Sequence, residues 1–137
     1  MNVHETELRV RYCETDRMGC VHHSRYYPWF EIARTEMMAE SGLRYSDMEK
    51  GGVMMPLVET HCKYIVPAVY DDVLIIRTLV EKLSPVKVTF AYEVVRKADG
   101  VLLARGSTVL AFTMLDFKPV NLKKYNPEFW ELVSSLQ

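Results

Sequence analysis

The sequence predicts an α+β chain in which one long buried helix packs against an antiparallel sheet of about five strands. Three observations lead there. Apolar residues alternate from Glu5 to Tyr12, shift to steps of three and four between Tyr26 and Ser41, and return as β-rich runs from Met54 onward. The helical stretch carries Trp29, Phe30, Ile32 and Met37, too apolar a set for a helix left in solvent. The later runs are separated by short polar breaks, which favours antiparallel neighbours.

Each element follows from its residues. In the first strand Leu8, Val10 and Tyr12 share one face, and Arg9 and Arg11 the other. Residues 13–19 are polar and end in Gly19, hence a loop. Tyr26, Phe30, Ala33 and Met37 then form one helical face, with Ser24 placed to cap it and Pro28 in its first turn. Gly42 before Leu43 has the pattern of a Schellman stop. Strands are expected over 54–67, 73–83, 86–97 and 101–115, each pairing with the next. Val86, Val88, Phe90, Tyr92 and Val94 alternate cleanly, and Asp99-Gly100 makes a hairpin turn. Asn126-Pro127 opens a last helix whose apolar face is Phe129, Val133 and Leu136.

The chain has 137 residues, 49% of them hydrophobic and 26% charged, as in an ordinary folded protein. No repeat or flexible linker interrupts it, so one domain over 1–137 is expected. A net charge of −1 gives no footprint for nucleic acid or an anionic membrane. No apolar run is long enough to span a membrane, and the start of the chain lacks the apolar stretch of a secretory signal. Three cysteines, at 13, 20 and 62, form no CxxC pair and suit reduced thiols in a cytoplasmic protein.

Chemistry concentrates between Thr15 and Tyr26. A carboxylate, Asp16, and an imidazole, His23, lie seven residues apart on the loop that enters the buried helix. A helix N-terminus offers unpaired N–H groups and partial positive charge, suited to a developing oxyanion. Gly19 lets the backbone approach a ligand with no Cβ in the way. A carboxylate there can attack a carbonyl held by those amides, or activate water against it. Spacing alone favours a plainer reading, with Asp16 a turn residue and His23 a polar residue at a helix start.

The wider pattern changes that balance. Asp16-x-x-Gly19-x-Val21-x-His23-x-x-Tyr26, followed by Trp29-Phe30-Glu31-x-Ala33-Arg34-Thr35-Glu36, resembles the signature of 4-hydroxybenzoyl-CoA thioesterase-like hotdog proteins. Within them it is similar to the bacterial acyl-CoA thioesterase branch associated with the Tol–Pal system. The likeness continues through Pro56-Leu57-Val58-Glu59, Tyr64-x-x-Pro67, 70–74, Phe90-x-Tyr92-Glu93-Val94 and Gly106. It implies a hotdog fold, a long helix wrapped by a curved sheet, joined edge to edge into a dimer or tetramer with sites between subunits. It also implies hydrolysis of an acyl-CoA to a carboxylic acid and free CoA, with no cofactor or metal. Asp16 then corresponds to the nucleophile or general base, and His23 to the residue whose backbone N–H polarises the carbonyl. Gly19, Val21, His22, Tyr26, Glu59 and Lys87 correspond to substrate-binding positions. Arg25 and His22 depart from the usual pattern, where an Asn-type residue and Tyr or Trp are frequent, and bear on substrate choice. Rival readings are a hotdog hydratase or dehydratase and a non-catalytic acyl-CoA-binding module.

Other clusters are weaker. His22, His23, His61 and the cysteines lack the spacing of a zinc site, so no metal is expected. Glu31 is more simply a partner of Arg34 or Thr35 on the helix surface than a second catalytic carboxylate. Lys82, Lys87, Arg96, Lys97 and Arg105 are the candidates for nucleotide phosphates, and Lys87, just after Ser84-Pro85, is the best placed.

Overall fold

The computed structural model describes residues 2–137. Its elements are β1 (His4–Arg9), α1 (Tyr26–Glu40), α2 (Tyr45–Lys50), β2 (Val53–Met54), β3 (Leu57–Tyr64), β4 (Val73–Ser84), β5 (Lys87–Arg96), β6 (Leu102–Ala111), β7 (Thr113–Met114), α3 (Leu122–Tyr125) and α4 (Pro127–Ser134). Five strands form one antiparallel sheet in the order β1-β4-β5-β6-β3, and β2 pairs with β7 in a separate ribbon. The long helix α1 lies against the inner face, the hotdog arrangement.

Burial follows the two periodicities. Leu74, Ile76 and Val80 of β4 and Val88, Phe90, Tyr92 and Val94 of β5 turn inward to meet Trp29, Phe30, Ala33 and Met37 of α1, all buried. Full burial of such side chains is worth about 1.5–3 kcal/mol each, which seats α1 far more firmly than helix propensity alone. Phe30 stacks on Tyr92, with ring centroids 4.3 Å apart, and its edge fills the space above Gly106 on β6. At the far end of α1, Leu43 N–H reaches the Met38 carbonyl at 2.9 Å and Gly42 N–H the Ala39 carbonyl at 3.0 Å, the expected Schellman stop.

Four expectations need correction. The first strand ends at Arg9: Tyr12 enters a 3-10 turn and is 77% exposed, so the alternating pattern overran the strand. The run 54–67 breaks at Met55-Pro56 into β2 and β3, and the run 101–115 breaks around Phe112 into β6 and β7. β3 does not pair with β4; it lies at the opposite edge beside β6, while β1 flanks β4. The connection 65–72 is long enough to pass the ends of two strands, held where Ile65 and Val66 N–H both reach the Leu103 carbonyl. Finally, Ser24 does not cap α1. A 3-10 turn over His23–Arg25 precedes the helix, and the His22 ring accepts the Ser24 N–H instead.

Candidate active site

The loop from β1 to α1 is folded by its own backbone. Val10 N–H bonds the Asp72 carbonyl at 2.9 Å and Val21 N–H the Ala68 carbonyl at 2.8 Å, which pins both ends of the loop to the crossover 65–72. Between them Asp16 closes a tight turn: its N–H reaches Cys20 O at 2.9 Å and its carbonyl accepts Gly19 N–H at 3.0 Å. Gly19 has φ +83°, the left-handed conformation that costs glycine nothing. Asp16 Oδ1 accepts the Met18 N–H at 2.9 Å and faces Cys20 Sγ at 4.0 Å. Its Oδ2 has no partner among the described residues. Asp16 is therefore the turn residue of the plainer reading and still holds one oxygen free.

The entry to α1 leaves one amide free as well. His22 N–H bonds the Glu14 carbonyl at 2.9 Å, Ser24 N–H the His22 Nδ1 at 3.2 Å and Arg25 N–H the His22 carbonyl at 3.0 Å. Among the described residues, the His23 N–H has no acceptor. The Arg25 bond to His22 O fixes the plane of the peptide that carries this N–H.

Both free groups belong to residues lining one cavity of about 270 Å³, shared by Asp16, Met18, Cys20, Val21, His23, Tyr26, Tyr64, Ile65, Val66 and Pro67. Asp16, Val21, His23 and Tyr26 are thus brought together as the sequence implied. Gly19 forms the adjoining turn, and the His22 ring leans on His23, with centroids 4.1 Å apart. Tyr64 received no role from the sequence. Its ring stands edge-on to Tyr26 at 5.0 Å, and its hydroxyl donates to the His23 carbonyl at 3.1 Å. Partial desolvation, with the Tyr27 hydrogen bond second, shifts the Tyr64 phenol upward from its ordinary range, although the side chain is partly open to solvent. Burial likewise raises Tyr26.

Glu59 and Lys87 are placed elsewhere in the protomer. They line a separate trough of about 410 Å³ on the outer sheet face with His61, Lys82, Ser84 and Thr89. Lys87 pairs with Ala111 at one end of the sheet, whereas Tyr64 pairs with Ala104 beside the cavity at the other. Seven ladder positions separate those ends, roughly 23 Å at strand rise. Glu31 is exposed and lies 3.9 Å from Arg34, as a helix-surface pair. Among the described residues one His/carboxylate cluster has metal-like proximity, His4 with Glu36 and Glu40. Glu36 faces Nε2 and Glu40 faces Nδ1, and one ion can take only one of those nitrogens.

The long helix packed on one five-stranded antiparallel sheet defines a hotdog-fold protein. Residues 10–123 match the Thioesterase-like superfamily, and the chain belongs to that family. It is 33% identical over 129 residues to YneP of Bacillus subtilis, provisionally named an acyl-CoA thioesterase, covering 94% of each chain. It is 28% identical over 117 residues to the acyl-CoA thioester hydrolase YbgC of Escherichia coli O157:H7, covering 85% of this chain and 87% of YbgC. Among solved structures it superimposes on the DHNA-CoA thioesterase of Staphylococcus aureus with a TM-score of 0.93 and 36% identity, over 100% of this chain and 92% of that one.

Proposed function

We propose that this enzyme hydrolyses acyl-CoA thioesters in the Asp16–His23 cavity, as one domain over 1–137 that works as a homodimer. The observation that carries the reading is the pairing of a free carboxylate oxygen and a free backbone amide on residues of one largely apolar cavity. The thioester carbonyl oxygen accepts the His23 N–H, which stabilises the oxyanion as the carbon becomes tetrahedral. A preorganised donor of this kind is worth about 10²–10³ in rate. Asp16 Oδ2 then either attacks the carbon, releasing the CoA thiolate and leaving an anhydride for water to open, or takes a proton from an attacking water. Both routes yield a carboxylic acid and CoA. Weak resonance in a thioester lets one carboxylate and one donor suffice. Gly19 binds substrate through the close-approaching turn, Val21 and Tyr26 through the apolar wall, and His22 through the ring that leans on His23.

The dimer completes the site. β3 is an edge strand whose Leu57, Val58, Tyr64 and the adjoining Ile65 are exposed. Unpaired apolar edges are aggregation hazards unless a partner covers them. Glu59 and Lys63 stand symmetrically about His61. Antiparallel pairing of two β3 strands about a dyad at His61 sets Glu59 opposite the partner's Lys63, Val58 opposite the partner's Tyr64 and Leu57 opposite the partner's Ile65. It also turns the sheet end that carries Glu59 and Lys87 toward the partner's cavity, so that the two groups meet across the subunits and not within one protomer. Lys87 then meets the CoA phosphates and Glu59 the pantetheine side. Three free cysteines suit a reducing cytoplasm.

The test is Asp16→Asn, which keeps size and most hydrogen bonding but removes the attacking charge. On the fastest-cleaved member of an acetyl-, octanoyl-, palmitoyl- and benzoyl-CoA panel, kcat falls at least about 100-fold with KM nearly unchanged. His23→Ala costs less, because the donor is a backbone N–H. A folded Asp16→Asn enzyme keeping more than about a tenth of wild-type kcat would overturn the reading.

A further inference from the structure

Glu14 is the least expected carboxylate in the molecule. It sits in the polar loop two residues before Asp16, yet it is only 4% exposed. Both of its oxygens are used: Oε1 accepts the Arg11 N–H at 2.8 Å and Oε2 accepts the Trp29 indole N–H at 2.8 Å. The Arg11 guanidinium lies 3.5 Å from Oε1 on the solvent side. Its backbone carbonyl takes the His22 N–H. One residue thus ties the Asp16 loop to helix α1 through its side chain and to the start of the His23 turn through its backbone.

We infer that Glu14 is a positioning residue, holding the Asp16 carboxylate at attacking distance from a carbonyl seated on the His23 amide. This rests on the proposed roles of Asp16 and His23. A loop turn such as 16–20 can keep its internal hydrogen bonds and still swing as a unit. The Thr15–Val21 and Cys20–Val69 bridges hold the turn to its own base and to the crossover 65–72, and the Glu14–Trp29 bond, two residues upstream, is the buried side-chain tie that sets it against α1. Displacement by 1 Å at a reacting group can cost about 10²-fold in rate. Solvation cannot replace the bond, because both partners are buried and an orphaned indole N–H or carboxylate oxygen would lack water.

Glu14→Gln is the informative variant. An amide has one acceptor oxygen, so its NH₂ must face a donor N–H at either Arg11 or Trp29. The side chain keeps its volume while one tie is broken. Expected is a roughly 10-fold fall in kcat with KM within twofold, read by thiol release on the panel substrate used for Asp16→Asn. A cycle with Asp16→Asn separates positioning from general damage. If Glu14 acts through Asp16, adding Glu14→Gln to Asp16→Asn changes the residual rate less than twofold. Equal losses in both backgrounds would overturn the inference, as would a Glu14→Gln enzyme with wild-type kcat. A second readout covers a poorly folding single variant. Trp29→Phe removes the opposing indole donor, so Glu14→Gln/Trp29→Phe should come within threefold of Trp29→Phe alone. A further tenfold loss in that double variant also counts against the inference. Full activity in Asp16→Asn removes the reading of Asp16 itself, and the inference with it, before the cycle is read.

Discussion

Gly106→Ala tests how tightly the helix is seated on the sheet. A Cβ at this position would stand inside 3.0 Å of Cε2 and Cζ of Phe30, and 2.9 Å from the carbonyl oxygen of His61 on β3. The His61 oxygen belongs to the β3–β6 ladder, where His61 pairs with Ser107, so it cannot retreat without loosening strand pairing. The Phe30 ring must move instead, but it is fully buried and stacked on Tyr92 at 4.3 Å. Overpacking of this kind costs about 1–3 kcal/mol, and a backbone neighbour beside a ring with little room to move puts this case near 3 kcal/mol. A chain of this size unfolds with about 0.3 kcal/mol/K of entropy, so the midpoint should fall by about 10 °C in a calorimetric scan. Trimming the ring should relieve the clash: Gly106→Ala/Phe30→Leu should be less destabilised than the sum of its two singles. A Gly106→Ala midpoint within 2 °C of wild type, at roughly a fifth of that shift, would refute the packing argument. Phe30 lies one helical turn from Tyr26 in the cavity wall, so the same substitution reports on how firmly the start of α1 is held.

Two further outcomes follow from the proposed dimer. Lys63→Glu sets glutamates against each other twice across the dyad and should weaken dimerisation about tenfold or more, whereas Glu59→Lys/Lys63→Glu restores opposite pairs and recovers it, as read by sedimentation. A double variant no tighter than Lys63→Glu would rule out the His61 dyad. Lys87→Glu should raise KM several-fold for acyl-CoA while leaving hydrolysis of the matching acyl-pantetheine thioester unchanged, since only the former carries phosphates; equal effects on both would remove Lys87 from the nucleotide.

What could be read from the sequence was what local patterns encode. α1 was legible because Tyr26, Phe30, Ala33 and Met37 repeat at helical spacing and all end up buried. The β4–β5–β6 meander was legible through short turns, and Gly100 at φ +73° occupies the hairpin as expected. Asp16, Val21, His23 and Tyr26 converge on one cavity because one loop and the first residue of the helix it enters deliver all four. Tyr64 and Glu14 were not legible as site residues. Tyr64 reaches the His23 carbonyl from 41 positions away, and Glu14 finds Trp29 from 15 positions away. Only tertiary packing makes those pairs. Without it, a glutamate amid Cys13, Thr15, Asp16 and Arg17 reads as a solvated loop residue.

The misplacement of β3 has a sharper cause. Met54, Met55, Leu57 and Val58 carry the apolar weight of a core strand, and the alternation test cannot tell a core from an interface. In the fold the run splits: Val53 and Met55 are buried, while Leu57 and Val58 are exposed at the sheet edge. Apolar residues at an open edge are costly to a lone protomer and useful only to a neighbour. The same strand also separates the proposed site residues into two groups. Asp16, Val21, His23 and Tyr26 gather at the end of the sheet where β3 finishes, and Glu59 and Lys87 near the end where it starts. A two-fold axis at the middle of an antiparallel strand pair exchanges its ends. In the proposed dimer, a second copy on β3 therefore turns one protomer's Glu59 and Lys87 toward the other's Asp16 and His23.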